Sequence, residues 1–430
     1  MTQQTPSQVR GWTVVLTAVS INLILGVLYA WSVMGKALVV QWHWKATQAS
    51  LPFTISAASF ALMMIFAGRW QDKIGPRYVA MLGGIILGLG LIASSFAHTP
   101  EMMLVTFGLI GGLGIGLGYS ATTPPSIKWF PPAKKGVITG LVVSGVGLAA
   151  VWIAPLTQHL LKVTSISNTF LILGVGTIIL VSLLSQFLAN PPAGYTPAAA
   201  TAPGTVAAKA PAARPNLDWH EMLRTGQFYQ LWLMFVLAAS AGLMIISQVA
   251  LIAKDQAHID KLGYAPVAIL AIFNTLGRVV SGFLSDRIGR TNTMILAFVL
   301  QAVNMFAFIH YTTPTLLIFG AAFTGLCYGT IFTLFPATTA DYYGVKNLGV
   351  NYGFVFTAFG VAATIGPMLG SKMRDAFANY QNAYTISAIM LLAGAVLAFI
   401  LKSPKLEPAP LPAGGAASQK CVGQAEVLRK

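Results

Sequence analysis

Of the 430 residues, 56% are hydrophobic and only 9% are charged, with a mean hydropathy of +0.71. A soluble domain carries about 25% charged residues, so this composition excludes a water-soluble enzyme or binding module and leaves a polytopic membrane protein. The formal net charge of +15 does not restore a nucleic-acid role: 18 of the 26 Lys and Arg fall in the tails and in the loops of one side, 7 lie opposite and Arg278 remains, which is the asymmetry that assigns the crowded side to the cytoplasm.

Apolar runs of spanning length place twelve helices, at about 11–34, 48–67, 78–98, 101–127, 135–158, 166–189, 225–252, 262–284, 291–310, 314–340, 347–371 and 378–402. An even number of crossings puts both termini on one side, here the cytoplasm. The first run starts at Trp12 with no clear small-residue cleavage site after it, so it reads as a retained span and not a signal peptide. Within it, Gly26-Val27-Leu28-Tyr29-Ala30-Trp31 suits either helix packing with an aromatic belt or the wall of a cavity.

After the second run comes Gly68-Arg69-Trp70-Gln71-Asp72-Lys73-Ile74-Gly75-Pro76-Arg77, and Gly282 to Arg290 repeats its glycine, aspartate, basic and glycine positions 214 residues on. Phe107-Gly108 and Phe319-Gly320, Gly136 and Gly349, and Pro155 and Pro367 recur at offsets of 212, 213 and 212. One six-helix unit is therefore used twice in the same orientation. The expected fold is an all-α membrane protein of two parallel six-helix bundles, 1–190 and 225–402, with a cytoplasmic linker at 191–224 and a tail at 403–430. The linker is rich in Ala and Pro and cannot bury a core, although Asp218 to Arg224 suits a short interfacial helix.

The run Gly108 to Tyr119 contains no G-x-G-x-x-G, and its glycines at 108, 112 and 116 follow the close helix-packing period, so it is not a nucleotide loop. A tyrosine hydroxyl at such depth wants a partner, either substrate or a neighbouring helix, which makes Tyr119 a candidate contact. Tyr328 and Phe332 lie one turn apart in the matching tenth span. Both tyrosines are expected to face one central cavity.

Arg278 is the anchor of the functional reading. It lies nine residues before Arg287, about 13 to 14 Å along a helix, near the middle of a hydrocarbon core about 30 Å thick. An arginine there costs roughly 2.5 to 3.5 kcal/mol on insertion scales and cannot escape by losing its proton. A carboxylate substrate, held by the guanidinium fork, would repay that cost. Asn274 lies on the same helical face, where it could bond a hydroxyl or keto oxygen, and Leu28, Phe332 and Phe359 are candidate apolar walls. No nucleophile with its base, metal cluster or cofactor loop occurs, so neither an enzyme nor a cofactor or metal is expected. The cysteines, Cys327 and Cys421, are too few for a disulfide scaffold.

The doubled turn in a twelve-helix chain resembles the major facilitator superfamily. Lys128-Trp129-Phe130, the basic pair Lys134-Lys135, the small-residue helix around Ser144 to Gly147, Tyr29 and Trp31 after Gly26, and Asn274 four residues before Arg278 narrow the resemblance to the monocarboxylate porters and the oxalate and formate exchangers. It spans about 11 to 402. The resemblance implies alternating access, transport of small carboxylates, often with a proton, and an inner gate held by Asp72 and Asp286 with Arg77 and Arg290. In the animal branch the first-span motif has an acidic residue and an aspartate stands one turn before the arginine; here Val27-Leu28 and Asn274 stand there. The oxalate-type relatives have a second cation in the eleventh span, whereas Val355 to Phe359 is uncharged. One arginine suits one carboxylate, since an unpaired buried charge costs several kcal/mol. The expectation is a monomeric carrier of a monocarboxylate such as lactate or pyruvate, proton-linked or exchanging, with the proton left to the substrate acid itself or to Asp341 or Asp375; a passive anion channel is the alternative from another class.

Overall fold

The computed structural model describes residues 6–192, 194, 195, 197, 216–257 and 265–404. The expected linker core, the start of the eighth span at 262–264 and the tail from 405 onward, with Cys421, lie outside these residues. Among them, twelve stretches are long and apolar enough to cross a membrane: α1 (Val9–Gln41), α2 (Gln48–Ile74), α3 (Pro76–Ser94), α4 (Pro100–Lys128), α5 (Pro132–Val163), α6 (Ile166–Ser185), α7 (Gly226–Val249), α8 (Ala268–Ile288), α9 (Arg290–Phe308), α10 (Pro314–Tyr343), α11 (Leu348–Phe377) and α12 (Gln381–Ile400). Outward faces carry large apolar side chains such as Leu62, Phe66, Phe187 and Phe399, each more than half exposed. In a bilayer these meet lipid.

The internal repeat is visible in how helices start and stop. Thr99 and Thr313, 214 residues apart, each accept an amide N–H of the first turn and are each followed by Pro at the first helical position, a pairing suited to a helix start because proline has no amide hydrogen to leave unbonded. Gly75 and Gly289, likewise 214 apart, both have φ of 92°, a backbone that other residues avoid, and there α2 and α8 end. Helical geometry runs through Ile74 and Ile288. The charged motif is therefore the last turn of each span, with only the glycine forming the bend.

The glycines spaced by four in α4 all face α2: a Cβ on Gly108 would lie 3.0 Å from Ile55, one on Gly112 2.5 Å from the Ser56 carbonyl, and one on Gly116 2.7 Å from Met63. That confirms close packing as their role. Two first-half helices depart from a plain α-helix. A 3₁₀ stretch, Gly26–Ala30, interrupts α1, and a π stretch, Leu104–Gly111, lies within α4. A short helix, Trp219–Leu223, stands where one was expected, capped by Asp218 and Glu221.

The halves meet along two seams. In one, α2 lies against α11, with a Cβ on Gly68 only 2.1 Å from the Gly349 carbonyl and one on Gly353 2.5 Å from that of Met64. In the other, α5 lies against α8, where Gly136 meets Gly282 and a Cβ on Gly140 would lie 2.3 Å from the Arg278 carbonyl. Such distances leave room for backbone only.

Candidate functional site

Arg278 occupies the middle of α8 and is 1% exposed, the only charged residue among the buried ones described. Its backbone is fixed first. A Cβ on Gly329 would come 2.1 Å from the Asn274 carbonyl and one on Gly277 2.0 Å from that of Leu326, so α8 and α10 touch main chain to main chain. Thr333 of α10 donates to the Arg278 carbonyl at 2.9 Å. The guanidinium then donates Nε–H to Asn274 Oδ1 at 3.1 Å and Nη1–H to the carbonyl of Val143 on α5, and its carbon lies 4.6 Å from the centre of the Phe332 ring. Two neutral oxygens and an aromatic face thus surround a permanent cation. Among the described residues no carboxylate pairs with it, so an anion of matching size would add the missing charge.

The bond to Val143 crosses between the halves. Sequence reasoning could not find this partner, because its acceptor belongs to the main chain. Next to it, Asn22 of α1 donates to the Val142 carbonyl at 2.8 Å, so two consecutive peptide oxygens of α5 are occupied by side chains from α1 and α8.

Around the cation stands a connected set of rings. Tyr328 lies 5.3 Å from Phe332, Phe332 lies 5.7 Å from Phe359 and 6.4 Å from Phe356, and Phe356 lies 5.7 Å from Tyr119. Phe60 of α2 joins Tyr119, Phe356 and Phe359 across the halves. Of the expected site residues, Asn274, Phe332, Phe359, Tyr119 and Tyr328 therefore share one neighbourhood. Tyr328 lies against Gly242 of α7, inside the second half, while Tyr119 and Tyr352 both lie against the Phe356 ring, at 5.7 and 5.6 Å. The tyrosines stand at opposite ends of the ring set. Leu28 is half-buried against the first-half core in the 3₁₀ stretch, and none of the described contacts joins it to Arg278. Phe60, Phe356 and Tyr352 join the same ring set, although nothing in the sequence singled them out.

At the end of the molecule that carries the linker, each half offers a carboxylate to a helix start of the other. Asp286 of α8 accepts the amides of Gly136 and Val137, both at 2.9 Å, and Asp72 of α2 accepts that of Val350 at 3.1 Å. These amides open α5 and α11, where unbonded N–H groups and the helix dipole favour a negative charge. Arg290 binds Asp286 and Ser285 and reaches Asp341 at 2.9 Å, which also pairs with Lys135 at 3.0 Å. Arg77 departs from the gate expectation. It donates to Gln186 within its own half, since it sits beyond the Gly75 bend and is directed to the end of α6. The cation beside Asp72 is Lys128, 3.7 Å away. That ionic partner comes from α4, too distant in sequence for the repeat to reveal.

A family model described as Major Facilitator Superfamily matches residues 11–311 and 266–429. The chain is 28% identical over 406 residues to an oxalate:formate antiporter of Oxalobacter formigenes, covering 91% of each. It is 27% identical over 394 residues to monocarboxylate transporter 13 of Rattus norvegicus, covering 89% of this chain and 87% of that one. The fold matches a solved structure of the proton:xylose symporter XylE with a TM-score of 0.71 at 12% identity, over 92% of this chain and 97% of that one.

Proposed function

The chain belongs to the major facilitator superfamily, a family of membrane transporters, and from that premise we propose that it is a secondary active carrier of small monocarboxylates such as lactate or pyruvate, working by alternating access from a cytoplasmic membrane with both termini inside. The carrying observation is Arg278: buried at mid-span, bonded to neutral oxygens, without an acid of its own. A monoanion at the guanidinium gives a neutral complex, whereas a dianion leaves one charge over. Relatives named for monocarboxylates and for oxalate and formate support the substrate class. The gate is the set Asp72 with Lys128 and Asp286 with Arg290, and the closed end is cytoplasmic.

Proton-linked symport is the first reading of the energetics. Exchange is the second, favoured by one observation: among the described residues no acid or histidine is buried beside Arg278 to carry a proton. Proteoliposomes separate the two. Uptake of labelled lactate that rises with an inward proton gradient supports symport. Acceleration by preloaded lactate, with no response to the gradient, supports exchange. Flux that does not saturate removes the carrier reading altogether.

A further inference from the structure

The helix starts of this chain differ in where their caps come from. Thr99, Ser165 and Thr313 precede α4, α6 and α10 with extended backbone, at ψ of 151°, 168° and 153°, and each side chain accepts an amide of its own first turn. The regular helices that begin at Lys135 in α5 and Leu348 in α11 are built otherwise. Lys134 and Asn347, repeat mates at an offset of 213, precede them with ψ of 5° and 25°, and neither side chain caps its own helix. The amides there are taken by the other half, those of Gly136 and Val137 by Asp286 and that of Val350 by Asp72. Lysine has no acceptor and never competes for them. Asparagine is among the strongest caps, and the amides it would take are those of Gly349 and Val350. At the second socket, therefore, something must restrain it.

The restraint is the end of the linker. Asn347 donates Nδ2–H to the Leu217 carbonyl at 3.1 Å, and Asn351 donates to the same oxygen at 3.1 Å. That peptide is itself fixed. Leu217 N–H donates to the Tyr343 carbonyl at 3.0 Å, Asn216 Oδ1 accepts the Lys346 amide at 3.1 Å, and Gly344, at φ of 83°, leaves no room for a Cβ beside that oxygen. We infer that Asn347 is a positioning residue of the gate and the Leu217 carbonyl its latch: held as a donor, the Asn347 side chain keeps its oxygen off the start of α11 and leaves the Val350 amide to Asp72. The inference rests on the reading of Asp72 as part of the gate. Released from Leu217, Asn347 extends as Thr99 does and caps its own helix, and Asp72 loses its amide. The linker end thereby sets how firmly one socket grips, an influence without a counterpart at α5, where lysine stands.

Substitutions at position 347 separate competition for an amide from simple tethering. The parent is the full chain in detergent carrying Cys327→Ser, Cys421→Ser and Gln71→Cys. Gln71 is fully buried, and a Cβ on Gly349 would lie 2.8 Å from its Oε1, so the rate at which a hydrophilic maleimide labels position 71 reports how often the Asp72 socket opens. Asn347→Ala, Asn347→Ser and Asn347→Asp all lose the bond to Leu217, but only serine and aspartate can cap α11. The expected result is the parent rate for Asn347→Ala and labelling about fivefold faster for Asn347→Ser and Asn347→Asp, the weight of one helix cap. Serine is uncharged, so its effect is not repulsion of Asp72. Labelling of Asn347→Ser no faster than that of Asn347→Ala overturns the inference. Asp72→Ala in the same parent tells the two failures apart. If it labels at the parent rate, the gate reading falls and the inference with it; if it labels faster while Asn347→Ser and Asn347→Ala stay equal, the inference alone is sunk.

Discussion

At Arg278 the chemistry of one side chain carries the proposed function. Its neighbours satisfy geometry but not charge, so Arg278→Ala should abolish lactate counterflow while leaving a folded, monodisperse protein. Arg278→Lys should fail nearly as completely, because an ammonium cannot hold Asn274, the Val143 carbonyl and a carboxylate in one plane. Asn274→Asp has a different outcome. An aspartate one turn away would occupy the guanidinium as an internal anion, and protonating it would free the site again, so counterflow by this variant should rise more steeply as pH falls than wild-type counterflow does. A pH profile of counterflow checks this. The sequence was informative here in proportion to how much of the site is side chain. The depth of Arg278 and its one-turn relation to Asn274 follow from helical rise alone. The Val143 oxygen is invisible because every residue has one, and Lys128 was hidden because its pairing with Asp72 joins α4 to α2 across a stretch with no local pattern.

Between elements the controlling quantity is the distance of closest approach. Gly68, Gly136 and Gly140 stand where backbone of the opposite half fills the place of a Cβ. Gly68→Val should therefore force α2 from α11, read as a lower melting temperature in detergent. Twelve helices and their order were legible because a bilayer demands apolar runs of fixed length. The 3₁₀ turn at Gly26–Ala30 and the π stretch at Leu104–Gly111 were not, since both keep the same apolar composition and change only which carbonyl each amide meets. Arg77 belongs to the same lesson. The charged motif continues its helix up to Gly75, so the residue after the bend turns away from the partner half.

Across the whole molecule, closure of the linker end is shared between two carboxylates of unequal standing. Asp286 caps two amides and anchors the Arg290, Asp341 and Lys135 set, while Asp72 has one capped amide and a longer ion pair. Removing a helix cap costs about 1 kcal/mol, so Asp286→Ala should lower the melting temperature more than Asp72→Ala does. Thermal unfolding of both variants in detergent checks the order.

The exchanged caps have one more consequence. Each half brings one plug and one socket, and the plug of either fits the socket of the other, which is the geometry by which two identical subunits close on themselves about a twofold axis. The tether between them is then needed for stoichiometry and not for recognition: halves made as separate polypeptides already bear matching surfaces.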